Sequence, residues 1–160
     1  MRYIFKRKVQ ALMAMALLAN AAWAQPVTVA DAWARATVTG QKASGVFMKL
    51  TANQATRLVG ASSPVAGVVE VHEMKMEKDV MKMAAIAGLD LPAGKTVELK
   101  PGGYHVMLMD LKTPLLKDST LPLTLMFKDA KGVVTPLDVK VPIQQPAPPA
   151  GMQHGGAHKH

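Results

Sequence analysis

Between Val27 and Ile143 the chain never sustains an apolar pattern of helical period for the length of a helix. It is cut instead into short runs rich in Val, Leu, Met and Thr. The cuts fall at Thr39-Gly40, Ser62-Ser63-Pro64, Leu91-Pro92-Ala93-Gly94, Pro101-Gly102-Gly103 and Asp129-Ala130-Lys131-Gly132. Glycine, proline and small polar residues in such clusters favour chain reversal over helix. Strands are predicted over 33–38, 45–52, 55–61, 66–74, 80–87, 95–100, 104–111, 121–127 and 133–142. Short strands at this spacing imply an all-β sandwich, and no internal repeat accompanies them.

The two ends read differently. Arg2, Lys6, Arg7 and Lys8 precede an apolar stretch that closes on Ala22-Trp23-Ala24, the pattern of a cleavable secretory signal over 1–24. The stretch is shorter than the roughly 20 residues that span a bilayer, so no permanent membrane anchor is expected. The chain contains no cysteine. A lipoprotein acylation site, disulfides and thiolate metal binding are therefore not expected. Residues 25–143 suffice for one domain with its own core. Residues 144–160, QQPAPPAGMQHGGAHKH after Ile143, are rich in Pro, Gly and Ala and imply a flexible tail.

Charge excludes little but helps. Without the four basic residues of the signal, 15 of the 19 Lys and Arg remain against 11 Asp and Glu, a mild excess. The lysines are scattered and aromatic residues make up only 4% of the chain, so no nucleic-acid surface is expected. There is no catalytic triad arrangement, glycine-rich phosphate loop or pair of carboxylates with a catalytic logic, so an enzyme is not expected.

Chemistry concentrates in the histidines and methionines. Of 12 methionines, seven fall between residues 48 and 109, and six of those cluster in HEMKMEKDVMKM (72–83) and HVMLM (105–109). A hairpin turning between Glu77 and Lys78 sets His72 opposite Met83 and Met74 opposite Met81, with paired Cβ atoms about 4.5–5.5 Å apart. His105 and Met107, two apart on a strand, share a face. Two imidazoles and two thioethers form a soft donor set suited to Cu(I) and poorly suited to zinc, magnesium or calcium. Methionine on a strand is also ordinary packing, and Met48, Met76, Met109 and Met126 read that way. Met74 and Met81 stand between the two readings, as auxiliary ligands or as an apolar collar.

His72, ten residues, Met83, 21 residues and His105-Val106-Met107 match the spacing that marks the periplasmic copper chaperone family PCu(A)C. The flanking segments AWARAT (32–37), GASSP (60–64), VHEM (71–74), VMKM (80–83), LPAG (91–94) and PGGYHVMLMDLK (101–112) resemble that family too. One departure is the Glu77-Lys78-Asp79 turn, where a glycine is expected. The resemblance implies a cupredoxin-like β-sandwich, a Cu(I) site of His72, Met83, His105 and Met107 near the surface, and a periplasmic carrier. Its partner would be the copper-receiving subunit of cytochrome c oxidase or another periplasmic cuproprotein or chaperone. Met152, His154, His158 and His160 resemble the C-terminal extensions of some members, which bind Cu(II) or help complete the copper site. Two other readings stay open: a copper buffer or resistance protein without a dedicated recipient, and a metal-free interaction module.

Overall fold

The computed structural model describes residues 26–145; the expected signal and residues 146–160 of the expected tail lie outside the described residues. There are ten strands and no helix among them: β1 (Val27–Arg35), β2 (Ala43–Ala52), β3 (Thr56–Ser62), β4 (Ala66–Glu77), β5 (Val80–Ala85), β6 (Leu89–Leu91), β7 (Thr96–Leu99), β8 (Tyr104–Leu111), β9 (Thr120–Asp129) and β10 (Val134–Gln144). The all-β reading is borne out. The short β6 was not anticipated, and β1 begins six residues before the predicted strand at Trp33.

One layer runs β5-β4-β8-β2-β1 and the other β10-β9-β3-β6. They join at a corner where β1 and β10 pair in parallel at Ala34–Ile143 and Arg35–Gln144. On one edge β2 serves two partners in turn, β8 along Ala43–Val46 and β7 along Met48–Thr51. Strict alternation supplies the core. Leu121, Leu123, Leu125 and Phe127 of β9 face Val46, Met48, Leu50 and Ala52 of β2, with Val106 and Leu108 of β8, all buried in one apolar cluster. Their burial is the main stabilising term. Met48 packs as expected, whereas Met76 does not: it is 62% exposed.

A bulge turns β1 over. Val27 to Ala30 pair with Ala52 to Lys49, but Trp33 pairs with Phe47 and Ala34 with Val46, one residue out of step. Asp31, at φ 51°, carries the irregularity. Because side chains alternate with period two, the extra residue moves Trp33 from the core face to the outer face. There it stacks on Phe47, ring centroids 4.6 Å apart.

The β4–β5 hairpin corrects the expected register. Met74 pairs with Met83, Met76 with Met81, and His72 with Ala85, so His72 does not oppose Met83 nor Met74 oppose Met81. The turn residues are Lys78 and Asp79, at φ 47° and 63°, rather than Glu77 and Lys78. Positive φ at both positions is the type I′ two-residue loop, and Asp79 tolerates that conformation better than Glu77 would. Moving the turn by one residue shifts pairing by two, which leaves every side chain on its expected face. Replacing the pair by the preferred Asn-Gly (Lys78→Asn, Asp79→Gly) should raise stability by up to about 1 kcal/mol. Urea unfolding would show a higher midpoint; a lower one would contradict this turn.

Candidate functional site

The outer face of the β5-β4-β8-β2 layer gathers the residues singled out by the sequence. His72 on β4 and His105 on β8 are directly paired, as are Glu70 and Met107. Met107 pairs in turn with Gly45 on β2. Behind them Val71 and Val106, paired with each other, point into the core. Alternation on two adjacent strands thus fixes both imidazoles on one face with a rigid apolar layer beneath.

Both rings are held by backbone or carboxylate partners. His105 Nδ1 lies 3.1 Å from the Gly103 carbonyl oxygen, which can only accept, so Nδ1 carries the hydrogen. That leaves Nε2 as a bare lone pair, and it faces Met83 Sδ at 3.2 Å. His72 Nε2 donates to Glu70 Oε2 at 2.8 Å. In the neutral ring this leaves Nδ1 as the bare nitrogen, and Nδ1 is buried without a hydrogen-bond partner among the described residues. The ring centroids are 5.7 Å apart. Two imidazole lone pairs and a thioether sulfur therefore lie close together on the site face with no proton assigned among them.

Burial shapes the site's protonation. His105 is 6% exposed and His72 8%. Desolvation lowers the His105 pKa below its ordinary 6.5; the Gly103 hydrogen bond opposes this, and the nearby His72 and Arg35 add to the lowering. His105 is accordingly neutral at pH 7. In the unfolded chain it takes up a proton below about pH 6.5. Its contribution to folding is therefore complete above that value and is lost as the pH falls toward the lowered folded-state pKa. The metal-free protein should unfold at lower temperature at pH 5 than at pH 7.5; a midpoint that rises on acidification would contradict a buried neutral His105.

An open pocket of about 470 Å³ lies over this face, lined among others by Arg35, Phe47, Met74, Met83, His105 and Met107. Of the two auxiliary candidates, Met74 borders the pocket and Met81 does not. Phe47 floors it by folding back over Gly45, where an added Cβ would stand 2.9 Å from the ring. Arg35 lies above the same ring, 5.7 Å from its centroid. Sequence reading missed Glu70, Phe47, Gly103 and Arg35. Glu70 was findable, being two residues before His72 on one strand; the others reach the site through the β1 bulge, the Phe47 rotamer and a loop carbonyl. Met152, His154, His158 and His160 lie outside the described residues.

Among the described residues no three His, Cys, Asp or Glu side chains converge to hold a metal. A site built here must use thioether sulfur beside imidazole nitrogen, and such donors match a soft monovalent cation rather than a hard one. Fold and donors together define a class: a β-sandwich bearing a half-open face of soft ligands.

Residues 27–143 match the LpqE-like family model, and the chain belongs to that family. The resemblance to PCu(A)C proteins is borne out by the neighbours of the fold. The chain is 37% identical over 119 residues to Lxx21020 of Leifsonia xyli subsp. xyli, a lipoprotein in name, covering 74% of this chain and 70% of that one. The solution structure of CuI-DR1885 from Deinococcus radiodurans is 32% identical with a TM-score of 0.55, covering 78% of this chain and 82% of that one. The copper-bound PCuAC domain from PmoF2 has a TM-score of 0.62 at 22% identity, covering 76% of this chain and 95% of that domain, and speaks to the fold.

Proposed function

We propose that the protein is a copper carrier of the periplasm that holds one Cu(I) through His72, Met83, His105 and Met107 and passes it on by ligand exchange. The observation that carries this reading is the apposition of His105 Nε2 and Met83 Sδ at 3.2 Å, with the His105 hydrogen held on the far side of the ring by Gly103. Two lone-pair donors turned toward each other have no favourable contact until a cation stands between them. The buried, unpartnered Nδ1 of His72 asks for the same thing, since a buried polar atom without a partner costs about 1–3 kcal/mol. The copper-containing neighbours support the choice of metal.

Each side chain has a part. The imidazoles bind as neutral ligands, His105 by Nε2 and His72 by Nδ1, with Glu70 and Gly103 fixing the tautomers. The thioethers of Met83 and Met107 favour Cu(I) over harder ions and keep the site free of thiolate, which an oxidising compartment would consume. Met83 is 48% exposed, so the metal sits within reach of a partner. Neutral ligands hold Cu(I) less firmly than thiolates, which suits release to a recipient; the cytochrome c oxidase copper subunit is the recipient proposed.

Transfer separates a carrier from a buffer. Mixing the Cu(I)-loaded protein anaerobically with a purified, metal-free copper domain of cytochrome oxidase should move copper to that domain, read by the copper content of each protein after they are separated. Tight retention with no transfer would favour a buffer.

A further inference from the structure

The methionine face extends past the site. Beyond the Glu73–Tyr104 pair, β4 and β5 leave the sheet as a two-stranded ribbon, and Met76 and Met81 face each other near its tip. They lie on the same face as Met74 and Met83, one step of two residues further out. The opposite face of the ribbon carries its charges, Glu73, Lys75, Glu77 and Lys82, with Lys82 and Glu77 paired at 2.6 Å. Along the paired strands of the ribbon the charges lie on one face and the thioethers on the other, with Lys78 and Asp79 in the turn between them. Met76 and Met81 are 62% and 44% exposed, where packing has no use for them.

We propose that Met76 and Met81 form an outer Cu(I) station, through which the ion enters and leaves the buried histidine pair. The inference rests on the copper-binding reading above. Directly opposed side chains bring two sulfurs within reach of one small ion, and a step of two residues along a strand is about 7 Å. Cu(I) arriving on a carrier forms bonds to the Met76 and Met81 sulfurs as its bonds to the carrier break. It then exchanges onto Met74 and Met83 and finally onto His105. No electron moves, and every step trades one neutral donor for another. A charged group between the two methionine rungs would either trap the ion or repel it, and the paired positions on this face carry none; the charged turn residues Lys78 and Asp79 stand beyond them at the tip.

The test is the Met76→Leu, Met81→Leu variant, which keeps volume and apolarity and removes only the sulfurs. Copper is supplied anaerobically as the Cu(I)–bicinchoninate complex, and uptake is followed by stopped flow. Wild type and variant should hold one equivalent at the same equilibrium affinity, while uptake and release both slow by about tenfold in the variant. In wild-type protein labelled at its methionine methyl groups, the Met76 and Met81 resonances should also shift when Ag(I), a closed-shell substitute, is added beyond one equivalent. Equal rates in the two proteins with unshifted outer methyls would overturn the outer station and leave the inner site standing. Failure of the wild type to take up Cu(I) at all would overturn both.

Discussion

Replacing His105 and Met107 together by alanine should weaken Cu(I) binding by more than the roughly 100-fold that loss of a group merely supporting a ligand can cost. The double change removes the lone pair that faces Met83 and the sulfur set beside Glu70, leaving one imidazole, His72, with the thioethers of Met83 and Met74 on the neighbouring rungs. Neither substitution touches the core face of β8, whose Val106 and Leu108 do the packing. Fold and binding should therefore separate. Competition against a colorimetric Cu(I) chelator, with circular dichroism on the same samples, would show a folded protein that no longer competes. A folded variant that still held one tight equivalent would mean the metal lies elsewhere.

Leu108→Ala should act in the complementary way. Leu108 is fully buried and sits on β8 between Met107 and Met109, facing the opposite layer. Removing its buried methyl groups leaves a cavity, and such changes cost about 2–5 kcal/mol. For a small domain that is a large part of the whole. Denaturant unfolding should show the loss directly. Under conditions where the variant is folded, its copper affinity should match wild type, because the donors stand on the other face. An unchanged unfolding midpoint would mean that β8 does not alternate as described.

Much of this was legible in the sequence because alternation is a strong constraint. His72, Met74, His105 and Met107 fall on the outer face by period two alone, and Val71, Val106 and Leu108 fall on the inner one. Even the mistaken hairpin register kept these faces, since an error of one residue in the turn is an error of two in pairing. What alternation could not deliver was which rung each side chain occupies. Lys78 and Asp79 form the turn through backbone conformations that a sequence without glycine does not announce. Trp33 stacks on Phe47 only because a bulge at Asp31 reverses its face, and Phe47 closes the floor only because Gly45 leaves room for its ring. Met76 illustrates the opposite failure: as a single methionine on a strand it reads as packing, and only its place beyond the sheet edge shows that it packs against nothing.

The histidine tautomers are the part most dependent on three dimensions. Gly103 lies two residues before His105 and Glu70 two before His72, so the partners are local. Their effect is not: each fixes a hydrogen on one side of its ring and leaves the other nitrogen bare. A site with both nitrogens satisfied by protein would have no use for a metal.

X-ray absorption at the copper edge, on protein loaded with one equivalent of Cu(I), tests the ligand set most directly. Two sulfur and two nitrogen neighbours are expected, and a shell of nitrogen and oxygen alone would contradict the thioether site.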